Sequence, residues 1–594
     1  MCGIAAAFSV PGAYINTAAV RAAIDHMRTR GPDGEGFWQQ DGAVLGHRRL
    51  AILDLDERAT QPMQSHCGRY VLVFNGEIYN FADLRRGLEA TGTVFRTSSD
   101  SETLLAMFVR EGPAMLPKLH GMFAFVIWDR LSRRAFAARD PYGIKPLYLS
   151  QTDDGLLLAS QVRALLATGL VSRAPCPHGQ AGFWMLGSVP EPRTWFRDIK
   201  ALPAGGFVWV SDGRVVESGC WADIGGAWRR AAESDAPAPT QVADAVRSAV
   251  LESVRRHLVS DVPVGVFLSG GIDSGTLAAL MSEFGLQSLT GVTLAFDEFA
   301  GSAEDETAAA TAIAAQYGIQ HRVRRISQDE FAADLPAILN AMDQPSVDGV
   351  NTWYASKAVA EQGLKVVVSG VGGDELFQGY GHFRSLPRLL RARQWVDWLP
   401  GSRWALGQAG CYQAARTGNP RWRRLESWTG TLEGAWWLRK CLHTPEQLPV
   451  LMGADLAEEA LKGFDVQAAV QGMTGPLARD PMLAIGQIES CVYLRNQLLR
   501  DSDWASMGHS VELRTPLVDA HLLAQLEPWL AAFRYYPGKS LLASTPERPM
   551  SAALLSRRKT GFGIPVSRWL VGRDTHLAQS WAPRVAAEYG VATK

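Results

Sequence analysis

Cysteine is scarce in this chain: there are seven among 594 residues, at positions 2, 67, 176, 220, 411, 441 and 491. An odd count with no CxxC pair and no zinc-ligand spacing excludes a disulfide framework and a cysteine-rich metal site. Reduced thiols in a cytoplasmic compartment are the expectation. Long apolar runs are missing too. No stretch of about 18 uncharged apolar residues is present, so no spanning helix and no membrane partner are expected. Residues 1–30 lack the basic start and apolar centre of a secretory signal. Charge of one sign is not in excess: 59 Lys+Arg stand against 60 Asp+Glu, a net of −1, which gives no broad basic field for nucleic acid. No internal repeat and no long low-complexity tract interrupt the chain.

What is present is an ordinary globular composition, 47% apolar and 20% charged, on a chain too long for one core. Tryptophan is frequent, with 19 copies. Several lie between Trp395 and Trp437 among many arginines, and read as helix-packing aromatics with amphipathic Arg stems; a docking face for a larger substrate or partner is the alternative.

The start, Met1-Cys2-Gly3-Ile4, is the most informative feature. Cys2 is small, which favours removal of Met1 and would leave a thiol and a free α-amine on one residue. Such an amine has an unperturbed pKa of about 7.7–8.0, so near neutral pH part of it is free base, and the thiol needs modest help to become thiolate.

Along the first 210 residues, short apolar runs alternate with turns. Strands are predicted at 71–74, 122–128, 135–138, 146–149 and 156–159, with Asn75-Gly76 as a turn closing the first of them. Helices are predicted near 17–29, 81–90 and 101–111. Ala222 to Thr240, rich in Ala, Gly and Pro, reads as a linker. After it, buried strands at 264–268, 289–296 and 366–368 alternate with helices, one of them at 275–284, which argues for a parallel, doubly wound sheet; the region past 385 reads as mostly helical. The domain division is 1–215, a linker over 216–240, and 241–594.

Five short motifs accompany Cys2: Arg30-Gly31-Pro32-Asp33-Gly34, His47-Arg48-Arg49-Leu50, Asn75-Gly76-Glu77-Ile78-Tyr79-Asn80, Ser99-Asp100-Ser101-Glu102 and Gly121-Met122-Phe123-Ala124-Phe125. In this order and spacing they resemble the class II, N-terminal-nucleophile glutamine amidotransferase domain. The resemblance implies stacked antiparallel sheets with flanking helices. It makes Cys2 the nucleophile, with its own amine as base, and gives Asn75 and the Gly76 N–H the oxyanion hole. Glutamine is a zwitterion: Arg49 would clamp its carboxylate, and Asp100 with the backbone around Glu77 would hold its ammonium. Arg30 and Asp33 would fix the loop over the site.

In the second half, Ser269-Gly270-Gly271-Ile272-Asp273-Ser274 follows a predicted strand and precedes a helix. That is the arrangement of a phosphate cradle, without the Gly-Lys-Ser/Thr of a Walker loop. It resembles the pyrophosphate-binding loop of ATP pyrophosphatases. Ser369-Gly370-Val371-Gly372-Gly373-Asp374-Glu375 follows another strand, Ser506 to Asp519 resembles the family's late motif, and Arg558-Lys559-Thr560-Gly561-Phe562-Gly563 resembles the segment whose lysine reaches pyrophosphate. Together the motifs resemble the glutamine-hydrolysing asparagine synthetase family over nearly the whole chain.

That resemblance implies ATP and Mg²⁺ as cofactors. Leu268, Ser269, Gly270, Gly271, Asp273, Ser274, Val292, Ser369, Gly370 and Lys559 would bind ATP, and Asp273 and Asp374 the metal. Glutamine would be hydrolysed through a Cys2 thioester, and ammonia would pass through an apolar tunnel to an acyl-adenylate made from ATP and a carboxylate acceptor, with aspartate foremost. The family leans towards dimers, so a homodimer is one expected assembly. Three departures bear on the acceptor. Val371 stands where the family usually has Glu, Ser346 to Tyr354 lacks an expected Arg, and Trp504 replaces a common Arg. An acceptor other than aspartate, such as a sugar acid or a peptide, is the alternative.

Overall fold

The computed structural model describes residues 2–14, 17–40, 42–234, 239–285, 289–302, 304–536, 538–557, 563–571 and 577–591. The first part is built on strands β1 (Gly3–Ser9), β2 (Gly34–Gln40), β3 (Ala43–Arg49), β4 (Met63–Gln64), β5 (Tyr70–Ile78), β6 (Gly121–Asp129), β7 (Arg134–Arg139), β8 (Tyr148–Gln151), β9 (Gly155–Ala159), β10 (Lys200–Ala201), β11 (Gly206–Ser211) and β12 (Arg214–Cys220). They form two six-stranded sheets, in the orders β10-β8-β9-β1-β3-β2 and β12-β11-β7-β6-β5-β4, with antiparallel pairing.

Side-chain alternation sorts each strand between two cores. Ile4, Ala6 and Phe8 of β1 meet Val71, Val73, Ala124 and Val126 between the sheets. Ala5 and Ala7 face outward against Val20 and Ile24 of helix α1 (Thr17–His26). On the other outer face, beyond helix α2 (Phe81–Glu89), Leu72, Phe74 and Phe125 meet Leu104, Leu105 and Phe108 of helix α3 (Asp100–Glu111). The result is a helix–sheet–sheet–helix stack.

Two expectations are corrected here. Asn75-Gly76 is not a turn: β5 runs through it to Ile78, with Asn75 opposite Ala124 and Gly76 opposite Phe123. The glycine answers a close approach, because a Cβ there would lie 2.1 Å from the Met122 carbonyl oxygen. The stretch read as a linker contains helix α4 (Ile224–Glu233). Ile224, Ala227, Trp228 and Ala231 recur at helical spacing and are buried, and Trp228 lies against Gly486.

The second part carries five strands, β13 (Val264–Phe267), β14 (Thr290–Phe296), β15 (Gln320–Ile326), β16 (Val366–Val368) and β17 (Glu512–Arg514), in one parallel sheet of order β15-β14-β13-β16-β17. The order reverses between β13 and β16. In open parallel sheets that switch point, at the carboxyl ends of the strands, is where ligands bind. Both glycine-rich loops leave the sheet there: residues 269–271 lead into helix α5 (Ile272–Glu283), and residues 369–372 follow β16. Helices α6 (Val350–Glu361), α7 (His382–Val396), α8 (Ser402–Thr417) and α9 (Leu432–Lys440) follow, then a π-helical stretch Glu489–Leu499 running into α10 (Arg500–Met507). No helix among the described residues is long and apolar enough to cross a membrane.

Candidate active sites

The first site forms where β1 begins beside β5. Cys2 is buried, and its backbone nitrogen donates to Asn75 Oδ1 at 2.9 Å. This nitrogen becomes the α-amine if Met1 is removed. Asn75 is fully buried, and its Nδ2 has no hydrogen-bond partner among the described residues. A buried amide donor without an acceptor is costly, so it points to an acceptor supplied by a ligand. Burial pushes the Cys2 thiol up, and a backbone hydrogen bond from Leu50 pulls it back.

Around this pair lie the charged residues that the sequence singled out. Arg49, at the end of β3, donates Nη1 to the Asp56 carbonyl at 2.9 Å and Nη2 to that of Asp54. Among the described residues it forms no ion pair, so its charge is open to a carboxylate ligand. Glu77 lies two residues beyond Asn75 on the same face of β5. Asp100 accepts from the Ile78 N–H at 3.0 Å, and burial lifts its carboxyl to about 6. Asp33 Oδ2 accepts from the Ala51 N–H and from Lys365, each at 2.8 Å, which fixes the loop next to Arg49.

Asp100 must be ionised to hold an ammonium. The KM for glutamine is therefore expected to rise as pH falls through about 6, where Asp100 takes up its proton, with little change between pH 7 and 8. A steady-state pH series on the glutaminase reaction checks this, and Asp100→Asn should flatten the profile.

Arg30 does more than fix a loop. Its Nε donates to the Cys2 carbonyl at 3.1 Å, and its two terminal nitrogens grip Asp503 of α10 at 2.7 and 3.0 Å. Both partners are buried, so through Arg30 the Cys2 backbone is tied to the second half of the molecule. Asp503→Asn leaves the buried guanidinium without its counter-charge and should cost about 3–5 kcal/mol in stability, read by urea unfolding. A second cross-link runs from Glu77 to Arg514 at 3.7 Å, and Arg514 pairs with Glu512 at 2.7 Å.

The second site is a cavity of about 710 Å³ at the switch point. Leu268, Ser269, Asp273, Ser274, Val292, Ser369, Gly370 and Asp374 line one end of it. Ser274 Oγ accepts from the Ser269 N–H at 3.1 Å and closes the loop before α5, whose amino end faces the same space. Gly270 and Gly271 build the loop but are not in the wall; Arg557 lies against Gly270. Lys559 falls outside the described residues.

Asp273 and Asp374 converge on one cation, the Lys539 ammonium, at 2.5 and 2.9 Å. Sequence reasoning missed this lysine. Its only signal is a Gly-Lys pair ahead of a short helix, far from both loops in sequence. Two hard carboxylates meeting at one positive point are a donor set suited to Mg²⁺, with phosphate oxygens and waters completing the shell. Among the described residues no cage of three or more His, Cys, Asp or Glu forms, here or elsewhere.

The other end of the cavity holds Asp348, Asn351, Glu375, Tyr380, Tyr493 and Asp501. Burial and the neighbouring Asp348 charge lift Asp501 to about 8. Trp504 accounts for one departure from expectation: its indole donates to Asp501 at 2.8 Å, and its ring fills the space over Gly349, where a Cβ would lie 2.5 Å from it. Val371 lines the same cavity, half-buried. Lys440 sits 3.5 Å over the Tyr493 ring and 3.1 Å from Glu489, so α9 and the π-helical stretch close this end together.

With this geometry in view, comparison with known proteins gives one consistent picture. Residues 1–221 match the family described as glutamine amidotransferase domain, and residues 245–588 the family described as asparagine synthase. The chain is 34% identical to a putative glutamine-hydrolysing asparagine synthetase of Mycobacterium tuberculosis H37Rv, over 96% of this chain and 88% of that protein. It is 31% identical to asparagine synthetase 1 of Bacillus subtilis 168, over 91% of this chain and 83% of that protein. It is also 31% identical to the amidase chry2 of Gibberella zeae, over 65% of this chain and 60% of that protein.

Proposed function

The chain belongs to the asparagine synthase family, with a glutamine amidotransferase domain ahead of the synthase domain, and from that premise we propose that it transfers the amide nitrogen of glutamine to a carboxylate activated by ATP. The observation that carries the reading is the cavity at the switch point, where Asp273 and Asp374 converge on one cation beside a closed glycine-rich loop.

In the first half-reaction, Arg49 and Asp100 hold the two charges of glutamine and bring its side-chain amide to Cys2. The Cys2 amine takes the thiol proton, and the thiolate attacks the amide carbon. Asn75 Nδ2 donates to the oxyanion; removing one such donor costs about 2.7–4 kcal/mol in a well-studied protease. Asn75 Oδ1 holds the amine at the same time. Ammonia leaves, and water releases glutamate from the thioester. Close by, Leu50 and Ile52 pack with Val366 and Met507 into an apolar cluster shared by both halves. Such walls exclude water and favour the unprotonated form of ammonia on its way to the cavity.

In the second half-reaction, the loop at 269–274 and the amino end of α5 receive the phosphates, and the acceptor carboxylate attacks the α-phosphate to give an acyl-adenylate and pyrophosphate. Bound Mg²⁺, held by Asp273 and Asp374, would neutralise the charge developing on pyrophosphate. With Mg²⁺ on those two carboxylates, the Lys539 ammonium would be available to the phosphates. Ammonia attacks the adenylate and releases AMP.

Aspartate is the reference acceptor for this family. A different carboxylate is favoured by Val371, which lines the cavity and can neither move a proton nor hold an ammonium, and by Trp504, which puts an aromatic ring where an Arg was expected and donates to the cavity-wall carboxylate Asp501. Pyrophosphate release from Mg-ATP, glutamine and aspartate, with the amide identified by mass spectrometry, tests the reading. Asparagine formed in step with AMP establishes aspartate as the acceptor. Glutamate without asparagine moves the search to sugar acids and peptides.

A further inference from the structure

The wall of the cavity continues into a surface that neither half-reaction uses. Residues 382–424 contain nine arginines and one acidic residue, Asp397, a net of +8 in a chain whose total is −1. The seven tryptophans of residues 395–437 separate into a buried and an exposed set, with Trp422 half-buried between them. Trp428, Trp436 and Trp437 are buried, as helix-packing aromatics should be. Trp395, Trp398 and Trp404 are 81%, 87% and 73% exposed, clustered at the corner where α7 turns into α8, with Tyr412 at 69% further along α8. Arg384, Arg388, Arg391 and Arg403 are exposed around them. The two helices pack through other residues: Phe383, Leu386 and Arg393 of α7, and Gly410 and Ala414 of α8. Three exposed indoles at one corner are an interaction surface rather than ordinary scatter.

This corner is joined to the cavity. Gly410 lies so close to the Trp422 backbone that a Cβ would come within 2.4 Å of its carbonyl oxygen. The preceding residue, Arg421, lines the cavity and donates Nη1 to the Arg439 carbonyl at 3.1 Å; Arg439, Lys440 and Trp436 of α9 line it as well. Trp404 precedes Gly410 by six residues of α8, about 9 Å along the helix axis. An extended chain of three or four residues covers about that distance.

We propose that this corner docks an acidic polypeptide and that the carboxylate activated in the cavity is carried on that polypeptide; the inference rests on the amidation reading above. Charge complementarity identifies the partner: the exposed Arg384, Arg388, Arg391 and Arg403 of a strongly basic segment on a near-neutral protein recruit anions, and indoles with guanidinium groups suit a peptide's mixed acidic and apolar side chains. The same cationic line leads inward through Arg421 and Arg439, the direction in which a carboxylate has to travel. A single extended chain can thread into a cavity of about 710 Å³, whereas a bilayer surface cannot.

The test uses the full chain, a fluorescein-labelled pool of synthetic peptides rich in Asp and Glu with interspersed apolar residues, and a length-matched basic pool. Two variants are compared with the parent: the triple Trp395→Ala, Trp398→Ala, Trp404→Ala, and the double Arg391→Glu, Arg403→Glu. The acidic pool is expected to bind and the basic pool not, with affinity falling as salt is added. Each variant should lose about tenfold or more in affinity. In peptide-driven ATP–pyrophosphate exchange each should raise KM by the same factor at unchanged kcat, while glutaminase activity stays at the parent level. Mass spectrometry should then find bound peptides converted from carboxylate to amide. Equal binding by parent and variants overturns the proposal. So does partition onto anionic phosphatidylglycerol vesicles with no peptide binding, or a change confined to self-association in sedimentation. Exchange driven by free aspartate but by no peptide overturns this inference alone; no exchange with any carboxylate removes the amidation reading, and this inference with it.

Discussion

Cys2→Ala is expected to abolish glutamine-dependent amide formation while leaving ammonium-dependent formation within about twofold of the parent. The loss should reach about four orders of magnitude or more, the scale on which removal of a nucleophile acts elsewhere. The two sites share the buried Arg30–Asp503 contact, but the Cys2 thiol touches nothing in the cavity at the switch point, and alanine keeps the backbone nitrogen that donates to Asn75. Parallel assays with glutamine and with an ammonium salt separate the two activities. Loss of both would mean that the thiol, not only the backbone of residue 2, holds the two halves together.

The second large effect concerns Asp273. Asp273→Ala removes one of the two carboxylates that converge on Lys539 and leaves Asp374 alone against it. Pyrophosphate release should fall by about a hundredfold or more, the scale of losing a preorganised electrostatic contact to a phosphoryl group. Glutaminase activity should survive, because Asp273 lies in the first turn of α5 in the wall of the switch-point cavity, to which Cys2 does not contribute. Titrating Mg²⁺ distinguishes a metal role from a structural one. If Asp273 holds the metal, Asp273→Asn raises the Mg²⁺ concentration needed for half-maximal activity; an unchanged requirement together with retained pyrophosphate release contradicts the assignment.

Most of the fold could be read along the chain because its signals are local. Unbroken apolar runs at 71–74 and 122–128 announce strands buried on both faces, and the strand–loop–helix around Ser269 declares itself by composition. Asn75-Gly76 misled because the pair is a turn signal in most contexts. Here the glycine answers the Met122 carbonyl on a strand 46 residues away in sequence, and that proximity exists only after the strands pair. Ala222 to Thr240 misled through its composition: the helical spacing of Ile224, Trp228 and Ala231 was present but diluted by Gly and Pro.

The sites divide in the same way. Cys2, Asn75 and Asp100 carry motif signals and come together at the edge of the stacked sheets. Lys539, Asp348, Asp501 and Arg30's partner Asp503 are single residues whose roles depend on contacts across more than a hundred positions, and no local pattern announces them. The exposure of Trp395, Trp398 and Trp404 belongs to the same class, since exposed and buried indoles are alike in sequence until the helices are placed.

On the reading proposed above, both sites serve one reaction, with nitrogen passing from the glutamine side chain to an activated carboxylate. The most direct measurement supplies glutamine labelled at its amide nitrogen, with Mg-ATP, an acceptor carboxylate and a pool of unlabelled ammonium. The account predicts labelled amide, with glutamate, AMP, pyrophosphate and amide formed in equal amounts. Amide carrying only unlabelled nitrogen, or glutamate accumulating with no pyrophosphate for any acceptor, would contradict it.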